Sequence, residues 1–242
     1  MGNPKITIVT VSFNAEDVIS KTMLSVLGQS YDNIEYILMD GWSKDGTLKI
    51  AKEIAGKYPS RDIKIFSKSD KGIYDAMNNA ILIAKGDWLN FMNSGDVFYD
   101  NNVVSNIVKS GLMNKFAFIY SDFIVSIKGK RHYINQSFEK GRVLHQSLFY
   151  KKALHDRYGL YLVTHPYIVS DYLFFIQVDK SFVAKYNNPI SINDGDGISM
   201  SGNWAPVEKE CVDFMFRKCN AWCLVFRLIK TIIKQRILKI IR

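Results

Sequence analysis

The chain has 242 residues, of which 48% are hydrophobic and 23% are charged, as in an ordinary globular protein with room for one large α/β domain or two small ones. A net charge of +9 indicates an anionic partner, such as nucleic acid, an acidic membrane or a phosphorylated small molecule. No run of about twenty uninterrupted apolar residues occurs, so the composition excludes a segment that spans a bilayer.

The positive charge is concentrated near the C-terminal end of the sequence. No acidic residue follows Asp213, whereas eight of the 32 Lys and Arg residues do. The three cysteines, Cys211, Cys219 and Cys223, are odd in number and lack a second pair with metal-site spacing, so they support neither a disulfide framework nor a zinc site. Because residues 1–5 lead into a strand without an apolar signal segment, we expect a cytosolic protein with reduced thiols.

Strands and helices alternate over the first hundred residues. Four apolar, often β-branched segments have the pattern of strands buried on both faces: residues 6–13, 34–39, 63–66 and 88–92. Helical patterns separate them: residues 17–27, a helix from the turn at 41–47 through Lys57, and a short helix before the turn at 85–87. The alternation predicts an α/β fold with a mostly parallel, helix-covered sheet.

Polar side chains stand at the end of each predicted strand: Ser12 and Asn14, then Asp40, then Asp70, then Asp96. Because ligands bind beyond the carboxyl ends of parallel strands, these four ends indicate a site of nucleotide size. A carboxylate at Asp96 can hold a divalent cation, which can hold a diphosphate. The alternative for residues 93–96 is a polar turn that caps the next helix, and turn chemistry is also open for Asp40 and Asp45.

Two common nucleotide motifs are absent from the sequence. No Gly-x-Gly-x-x-Gly follows the first strand and no Gly-Lys-Ser/Thr loop occurs, which argues against a dinucleotide dehydrogenase and a P-loop phosphotransferase. Lys71 instead places a cation beside Gly72, where a phosphate could approach closely. The predicted site therefore fits neither of these two classes of nucleotide-binding protein.

Several motifs together resemble the family 2 glycosyltransferases. They are Ile-Thr-Ile-Val-Thr-Val-Ser-Phe-Asn at 6–14, Ser-Val-Leu-Gly-Gln-Ser-Tyr at 25–31, Asp-Gly-x-Ser-x-Asp-Gly-Thr at 40–47, Asp-Lys-Gly-Ile-Tyr-Asp-Ala-Met-Asn at 70–78, and Ala-Lys-Gly-Asp-Trp at 84–88. The last two resemble the branch that builds bacterial surface polysaccharides. The resemblance covers roughly residues 5–200, with the motifs in the expected order and spacing.

The resemblance implies a GT-A fold and an inverting transfer from a nucleotide-diphosphate sugar, with a UDP-sugar favoured and Mg²⁺ or Mn²⁺ as cofactor. By motif match the nucleotide sugar would be bound by Thr10, Ser12, Asn14, Asp40, Asp70, Lys71, Asn78, Ser94 and Gly95. The metal motif falls on residues 93–96, where Asn93 and Gly95 replace common carboxylates and Asp96 remains as the clear ligand. One carboxylate with diphosphate oxygens and waters suits Mg²⁺.

The second half of the sequence is less regular. Residues 116–127 are predicted to form a strand pair or one long strand. In the resembled family a carboxylate at the place of Asp171 is the general base that deprotonates the acceptor hydroxyl; the alternative is an N-cap for a helix at 172–178. His145 fits a hydrogen-bonded core or loop imidazole as well as a substrate contact, and residues 193–199 resemble a flap over the donor site more than a calcium loop.

Residues 207–242 have a helical pattern, and we divide the chain into a catalytic domain at 1–205 and a basic amphipathic tail at 206–242. Apolar residues gather on one side of the tail, opposite Arg227, Lys230 and Lys234. This pattern is typical of a helix on an anionic membrane surface; a helix packed on the domain with a solvated basic side is the alternative. Nucleic acid is not expected, because no stacking motif or DNA-reading helix is visible.

We therefore predict a peripheral enzyme at the inner face of a bacterial membrane, which transfers a hexose-type sugar to a glycan or lipid-linked glycan during surface polysaccharide synthesis. A sugar nucleotidyltransferase is one alternative, although residues 12–16 lack the Gly-rich basic loop that it needs. A non-catalytic nucleotide-sugar-binding or scaffold subunit is the other, because Asn93 and Gly95 weaken the metal motif.

Overall fold

A computed structural model of the chain describes residues 3–163, 169–195, 205–216 and 219–241, with the backbone alone at 205–206 and from residue 234 onward. The first half alternates as the sequence predicts: β1 (Ile6–Ser12), α1 (Ile19–Leu27), β2 (Ile34–Asp40), α2 (Thr47–Gly56), β3 (Asp62–Ser67), α3 (Ile73–Ile83) and β4 (Trp88–Phe91). Every residue of β1, β2 and β4 is buried, which explains their continuous apolar runs.

The second half has shorter elements. They are β5 (Val97–Phe98), α4 (Val103–Lys109), α5 (Leu112–Lys115), β6 (Phe118–Ser121), β7 (Phe123–Ile127), β8 (Lys130–Ile134), β9 (Leu148–Lys151), α6 (Leu154–Tyr158), α7 (Ser170–Phe175), β10 (Val183–Tyr186), β11 (Ser191–Asp194), α8 (Ala205–Met215) and α9 (Ala221–Ile241). Short 3₁₀ helices lie at His145–Ser147 and Lys180–Phe182. The expected flap at 193–199 begins as β11, and its residues 196–199 lie outside the described residues.

Seven strands form the main sheet in the order β10-β6-β9-β4-β1-β2-β3. The pairs β1–β2, β2–β3, β1–β4 and β6–β10 are parallel, whereas β9 is antiparallel to both β4 and β6. The mostly parallel sheet of the sequence prediction is therefore confirmed. The register aligns Ser12 with Asp40 and Asp40 with Ser67, so the carboxyl ends of the first three strands lie side by side.

A second sheet, β5-β11-β7-β8, stands beside the first and was not predicted. The segment 116–127 is indeed two strands, but β6 belongs to the main sheet and β7 to the small one. In the small sheet β11 pairs with β5 and β7, which brings Asp194 close to the turn that follows β4.

Apolar side chains fill both faces of the main sheet. Ile6 and Ile8 of β1 belong to one buried cluster, while Val9 and Val11 belong to another, as the alternation of side chains along a strand requires. The first cluster includes α1 and α2, and the second includes α3 and α7. With helices on both faces, the polar groups at the strand ends are left at the edge of the sheet.

Two structural details correct the sequence interpretation of the later helices. Val169 occupies the N-cap of α7, so Asp171 is the second helical residue and not the cap. The predicted tail consists of two helices, α8 and α9, and α8 is fastened to α7 through Tyr172 and Asp213. Over the part of the chain that the structure describes, no helix has the length and apolarity to cross a membrane.

Candidate active site

Asp40, at the end of β2, is the centre of a buried polar network at the sheet edge. It is 2% exposed. Its Oδ1 accepts hydrogen bonds from the hydroxyls of Ser12 (3.2 Å) and Ser43, while its Oδ2 accepts from the Ser43 backbone N–H (3.0 Å) and the Ser67 hydroxyl (2.8 Å). A carboxylate offers about four lone-pair positions, and these donors occupy them all. Asp40 therefore holds the ends of β1, β2 and β3 together.

The loops that follow β1 and β2 are cross-linked to one another. The Asn14 N–H donates to the Ser43 hydroxyl at 2.8 Å, and the Lys44 N–H donates to Asn14 Oδ1 at 2.9 Å. Asn14 and Trp42 both have positive φ angles, 47° and 66°, a conformation uncommon outside glycine and frequent at functional sites. These contacts fix the shape of the edge.

Two aromatic side chains stand exposed in these same loops. Phe13 is 64% exposed and Trp42 is 56% exposed, with the Lys44 ammonium 4.3 Å from the Trp42 ring centroid. The sequence interpretation missed both as candidate site residues. The signal was present, because an aromatic residue between Ser12 and Asn14, at the end of a buried strand, has no core to enter.

The loop before α3 approaches the same edge. A Cβ atom on Gly41 would lie 2.8 Å from Asp70 Oδ2, so glycine is needed there for the close approach of the Asp70 carboxylate. Asp70 Oδ1 accepts from the Gly72 N–H at 2.9 Å, and Gly72 has a φ of 108°. Lys71 is exposed beside them. Asp70 and Lys71 thus lie at the edge with Asp40, Ser12 and Asn14.

Two other predicted site residues have partners within the protein. Thr10 is completely buried, and its hydroxyl accepts a hydrogen bond from Tyr36 at 2.9 Å. Asn78 is 9% exposed and bonds the Tyr161 backbone twice, donating to its carbonyl at 2.7 Å and accepting from its N–H at 3.0 Å. Both side chains therefore make contacts within the protein that hold neighbouring elements together. Their contact with a nucleotide stays a prediction.

The turn after β4 is held by neighbouring elements. The Ser94 hydroxyl donates to the Val11 carbonyl at 2.9 Å, and the Gly95 N–H donates to the Thr22 hydroxyl at 2.9 Å. Gly95 has a φ of 98°, so a side chain at this position would strain the turn. The turn therefore ends β4 beside β1, at the edge that Asp40 organises.

Asp96 lies at the end of this turn and is 6% exposed. Its Oδ2 accepts from the Gln146 amide at 2.7 Å, and its Oδ1 accepts from the Asp194 N–H at 2.9 Å. Burial raises the pKa of Asp96 above its usual value, although these two donors and the nearby His145 partly oppose the change. Each oxygen accepts one hydrogen bond and keeps one lone pair, so the carboxylate retains capacity for a cation.

No three His, Cys, Asp or Glu side chains converge on a metal position within the described ranges. The amide oxygen Oδ1 of Asn93 is buried without a hydrogen-bond partner near the same turn, and it is an oxygen ligand of the kind that Mg²⁺ and Mn²⁺ accept. The residues fit a cation that takes most of its ligands from a diphosphate and water. They do not fit a cation held by protein alone.

Asp171, in the first turn of α7, connects to this turn through a chain of side chains. Its Oδ1 accepts from the Tyr74 hydroxyl and from the Tyr172 N–H, each at 2.9 Å, and its Oδ2 lies 3.0 Å from His145 Nδ1. Nε2 of the same imidazole lies 2.8 Å from the Asn93 amide nitrogen. The sequence interpretation left the role of His145 open and did not include Tyr74 or Asn93 among the site residues.

The hydrogen-bond pattern fixes the tautomer of His145. The Asn93 amide nitrogen can only donate, so Nε2 is the acceptor and the ring proton is on Nδ1, from which it donates to Asp171. Burial alone would raise the pKa of Asp171, but hydrogen bonds from His145 and Tyr74 outweigh it and hold the pKa below its usual value. Asp171 is therefore an ionised carboxylate with one free lone pair on Oδ2.

A mostly parallel sheet with a polar carboxyl edge is the arrangement in which open α/β folds bind nucleotides, and the ionised Asp171 beside it could serve as a general base. The chain belongs to glycosyl transferase family 2, whose model matches residues 7–173. The resemblance noted in the motifs is thereby confirmed.

Two curated relatives match most of this chain. A PGL/p-HBAD biosynthesis glycosyltransferase of Mycobacterium tuberculosis is 27% identical over 208 residues, which cover 82% of this chain and 80% of the relative. The UDP-Glc:alpha-D-GlcNAc-diphosphoundecaprenol beta-1,3-glucosyltransferase WfaP of Escherichia coli is 29% identical over 192 residues, with coverages of 76% and 74%.

Solved structures show the same fold. The S. aureus TarS fragment 1–349, crystallised with UDP-GlcNAc, superposes with a TM-score of 0.70 at 17% identity, covering 85% of this chain and 63% of TarS. The mannosyltransferase PcManGT from Pyrobaculum calidifontis, in complex with GDP-Man and Mn²⁺, gives a TM-score of 0.66 at 14% identity, with coverages of 86% and 61%. This chain thus spans less than two thirds of either solved chain. The predicted GT-A fold is confirmed.

Proposed function

We propose that this chain transfers a sugar from a nucleotide-diphosphate sugar to a hydroxyl group of a lipid-linked saccharide, with inversion at the anomeric carbon, during synthesis of a bacterial surface polysaccharide. The observation that carries the proposal is Asp171, an ionised carboxylate that His145 and Asn93 join to the turn after β4. An inverting transfer needs one such base on the face opposite the leaving group.

The donor would bind along the edge formed by β1, β2 and the loop before α3. The exposed ring of Phe13 offers a stacking surface for a base, while the hydroxyls around Asp40 and the backbone near Gly41 offer polar contacts. Lys71 would face the phosphates. A UDP-sugar is favoured, since TarS was crystallised with UDP-GlcNAc and the name of WfaP gives UDP-Glc as its donor, whereas PcManGT was crystallised with GDP-Man.

The acceptor would be a glycan carried on a lipid diphosphate. The name of WfaP describes transfer to a sugar on diphosphoundecaprenol, and the mycobacterial relative is named for PGL/p-HBAD biosynthesis. In this chain Oδ2 of Asp171 has the remaining lone pair to which an acceptor hydroxyl could donate. The proposal therefore places the acceptor on the α7 side of the site.

A divalent cation would be held by Asp96, with the Asn93 amide oxygen as a further candidate ligand. When bound, Mg²⁺ or Mn²⁺ would neutralise negative charge on the departing diphosphate. The Mn²⁺ complex of PcManGT supports this cofactor class. The arrangement suits a metal that arrives with its nucleotide.

The chemical step moves one proton and exchanges one bond. Asp171 Oδ2 takes the proton of the acceptor hydroxyl as that oxygen forms a bond to the anomeric carbon from the face opposite the diphosphate. The bond between the anomeric carbon and the diphosphate oxygen breaks, and its electron pair leaves with the nucleoside diphosphate. His145 and Tyr74 hold the carboxylate in place, and His145 Nδ1–H keeps hydrogen-bonding to it while the proton is received.

The proposal is tested by thermal unfolding with UDP-, GDP-, CMP- and dTDP-sugars, each with and without Mg²⁺ or Mn²⁺. A ligand at about a hundred times its dissociation constant adds roughly 2.7 kcal/mol to the free energy of unfolding. We expect a metal-dependent shift with one class of nucleotide, greatest for a UDP-sugar, and transfer of that sugar to a lipid-linked acceptor. A chain that none of these nucleotides stabilises would overturn the donor proposal.

A further inference from the structure

Helix α9 exposes a row of large apolar side chains. Trp222, Phe226, Ile229 and Ile233 are 85%, 69%, 54% and 52% exposed. Their spacing of four, three and four residues places them on one face of the helix. A contiguous apolar face of this kind on a protein surface marks an interaction site.

The opposite face of α9 is the one that packs on the protein. Arg227 Nη1 lies 3.3 Å from Glu210 Oε2 and 3.4 Å from Asp213 Oδ2, both on α8. The alternative interpretation was a tail helix that packs on the domain and exposes its basic side to solvent. It does not describe α9, because the apolar side of α9 is the exposed one. The helix is oriented with Trp222 and Phe226 outward.

The helix pair is anchored beside the proposed general base. The Tyr172 hydroxyl donates to Asp213, and Lys209 lies 3.1 Å from Asp213 and 4.6 Å from the centroid of the Tyr172 ring. Val212 packs with Val169 and Tyr172 in a small buried cluster. Because Tyr172 directly follows Asp171, α8 connects the exposed face of α9 to the acceptor side of the site.

The sequence after Asp213 carries only positive charges, which favours an anionic surface as the partner. Lys230 is exposed on α9, the sequence adds Lys234, Arg236, Lys239 and Arg242, and no acidic residue follows Asp213. Outward-facing aromatic and aliphatic side chains with accompanying cations are typical of a helix that lies in the interface of an anionic bilayer. A second copy of the chain would bring like charges together across the contact, which disfavours that occupant.

We propose that α8 and α9 dock this protein on an anionic lipid bilayer, with Trp222, Phe226, Ile229 and Ile233 as the inserting residues. Since α8 holds α7, docking sets Asp171 at the lipid surface, where a lipid-linked acceptor presents its sugar. The orientation of Asp171 toward the acceptor rests on the function proposed above; the docking itself does not.

The test is flotation of the full chain with vesicles of neutral phosphatidylcholine or of phosphatidylcholine with about 30% phosphatidylglycerol, at about 0.1 and 0.5 M salt. We expect binding to the anionic vesicles alone, weakened by salt. Phe226→Ser should bind at least about tenfold more weakly. Burial of an aromatic side chain in the bilayer would contribute roughly 1.5–3 kcal/mol to binding, which corresponds to a factor of about ten or more. Leu82→Ser is the matched control, because Leu82 is 66% exposed on α3 and should not affect binding.

Acyl-chain-brominated lipids give an independent measure of insertion, since they should quench tryptophan emission in the wild type and not in Trp222→Phe. Equal flotation with both vesicle types, or equal binding by Phe226→Ser and wild type, would overturn the proposal; so would a dimer in solution that Phe226→Ser dissociates. Nucleotide-sugar stabilisation of Phe226→Ser should match the wild type, so a docking failure is distinguishable from a failure of the donor proposal.

Discussion

The buried Asp96 and the partly buried Asp171 have pKa values that shift in opposite directions. Asp171 and Asp96 are both desolvated, and burial raises the pKa of each. For Asp171 the hydrogen bonds from His145 and Tyr74 outweigh burial, whereas for Asp96 the Asp194 N–H and the Gln146 amide do not. The neighbours therefore favour the ionised form of Asp171, which a base needs, and a cation bound at Asp96 would favour the ionised form of that carboxylate.

His145 is a positioning residue for Asp171, and its removal should weaken transfer without weakening donor binding. His145→Gln loses the donor to Oδ2, and hydrogen bonds to charged groups contribute about 1.5–3 kcal/mol, or roughly ten- to a hundredfold in kcat. Since the pKa of Asp171 would then rise, the acidic limb of the kcat profile should move to higher pH. The measurement is kcat against pH.

His132→Gln is the matched control for this prediction, because His132 is exposed on β8, the strand of the small sheet two places from β11. It should retain the wild-type profile. A His145→Gln enzyme with unchanged kcat and an unchanged acidic limb would show that the imidazole only fills space.

At the scale of elements, the sequence predicts the parallel half of the main sheet because β1, β2 and β4 are continuous apolar runs. It does not predict the small sheet, because β5 has two residues and β8 is exposed throughout. Asp171 followed from family resemblance, but its partners did not. Tyr74 is 97 residues away and His145 is 26 residues away, and neither contact leaves a local pattern.

An aromatic cluster against α7 contains the buried His155, whose ring is 4.4 Å from that of Phe174. Burial lowers the pKa of His155 to about 4, below an ordinary value near 6.5, so the unfolded chain binds more protons between these values. The contribution of the neutral His155 to the free energy of unfolding is therefore fully present above about pH 6.5 and decreases as the pH falls. We expect a loss of about 2 kcal/mol between about pH 7 and 5.

Urea unfolding at several pH values checks this expectation, with His155→Gln as the comparison. The variant should be less stable at neutral pH, because a glutamine amide cannot restore the ring contacts, and its stability should change less on acidification. An identical pH dependence in both proteins would place the titrating group elsewhere.

At the scale of the whole molecule, α7 joins two surfaces of different chemistry. Asp171 faces the polar edge of the sheet, while the adjacent Tyr172 bonds Asp213 of α8 and so meets the basic, apolar tail. The excess of positive charge and the apolar side of the tail were visible in the sequence, but which side of α9 packs on the protein was not. The pairing of Arg227 with Glu210 and Asp213 shows that the basic side packs on α8 and the apolar side is exposed.

The central claim is that Asp171 is the base of a sugar transfer, and one comparison tests it most directly. Donor binding, by nucleotide-sugar stabilisation, and transfer rate are measured for wild type, Asp171→Asn and Asp87→Asn. Asp87 is an exposed carboxylate at the opposite end of β4 and serves as the control for the same chemical change. We expect Asp171→Asn to lose about 10²–10⁴-fold in rate with donor stabilisation intact, and Asp87→Asn to match the wild type. Equal loss of binding and transfer in Asp171→Asn, or full transfer by it, would contradict the assignment.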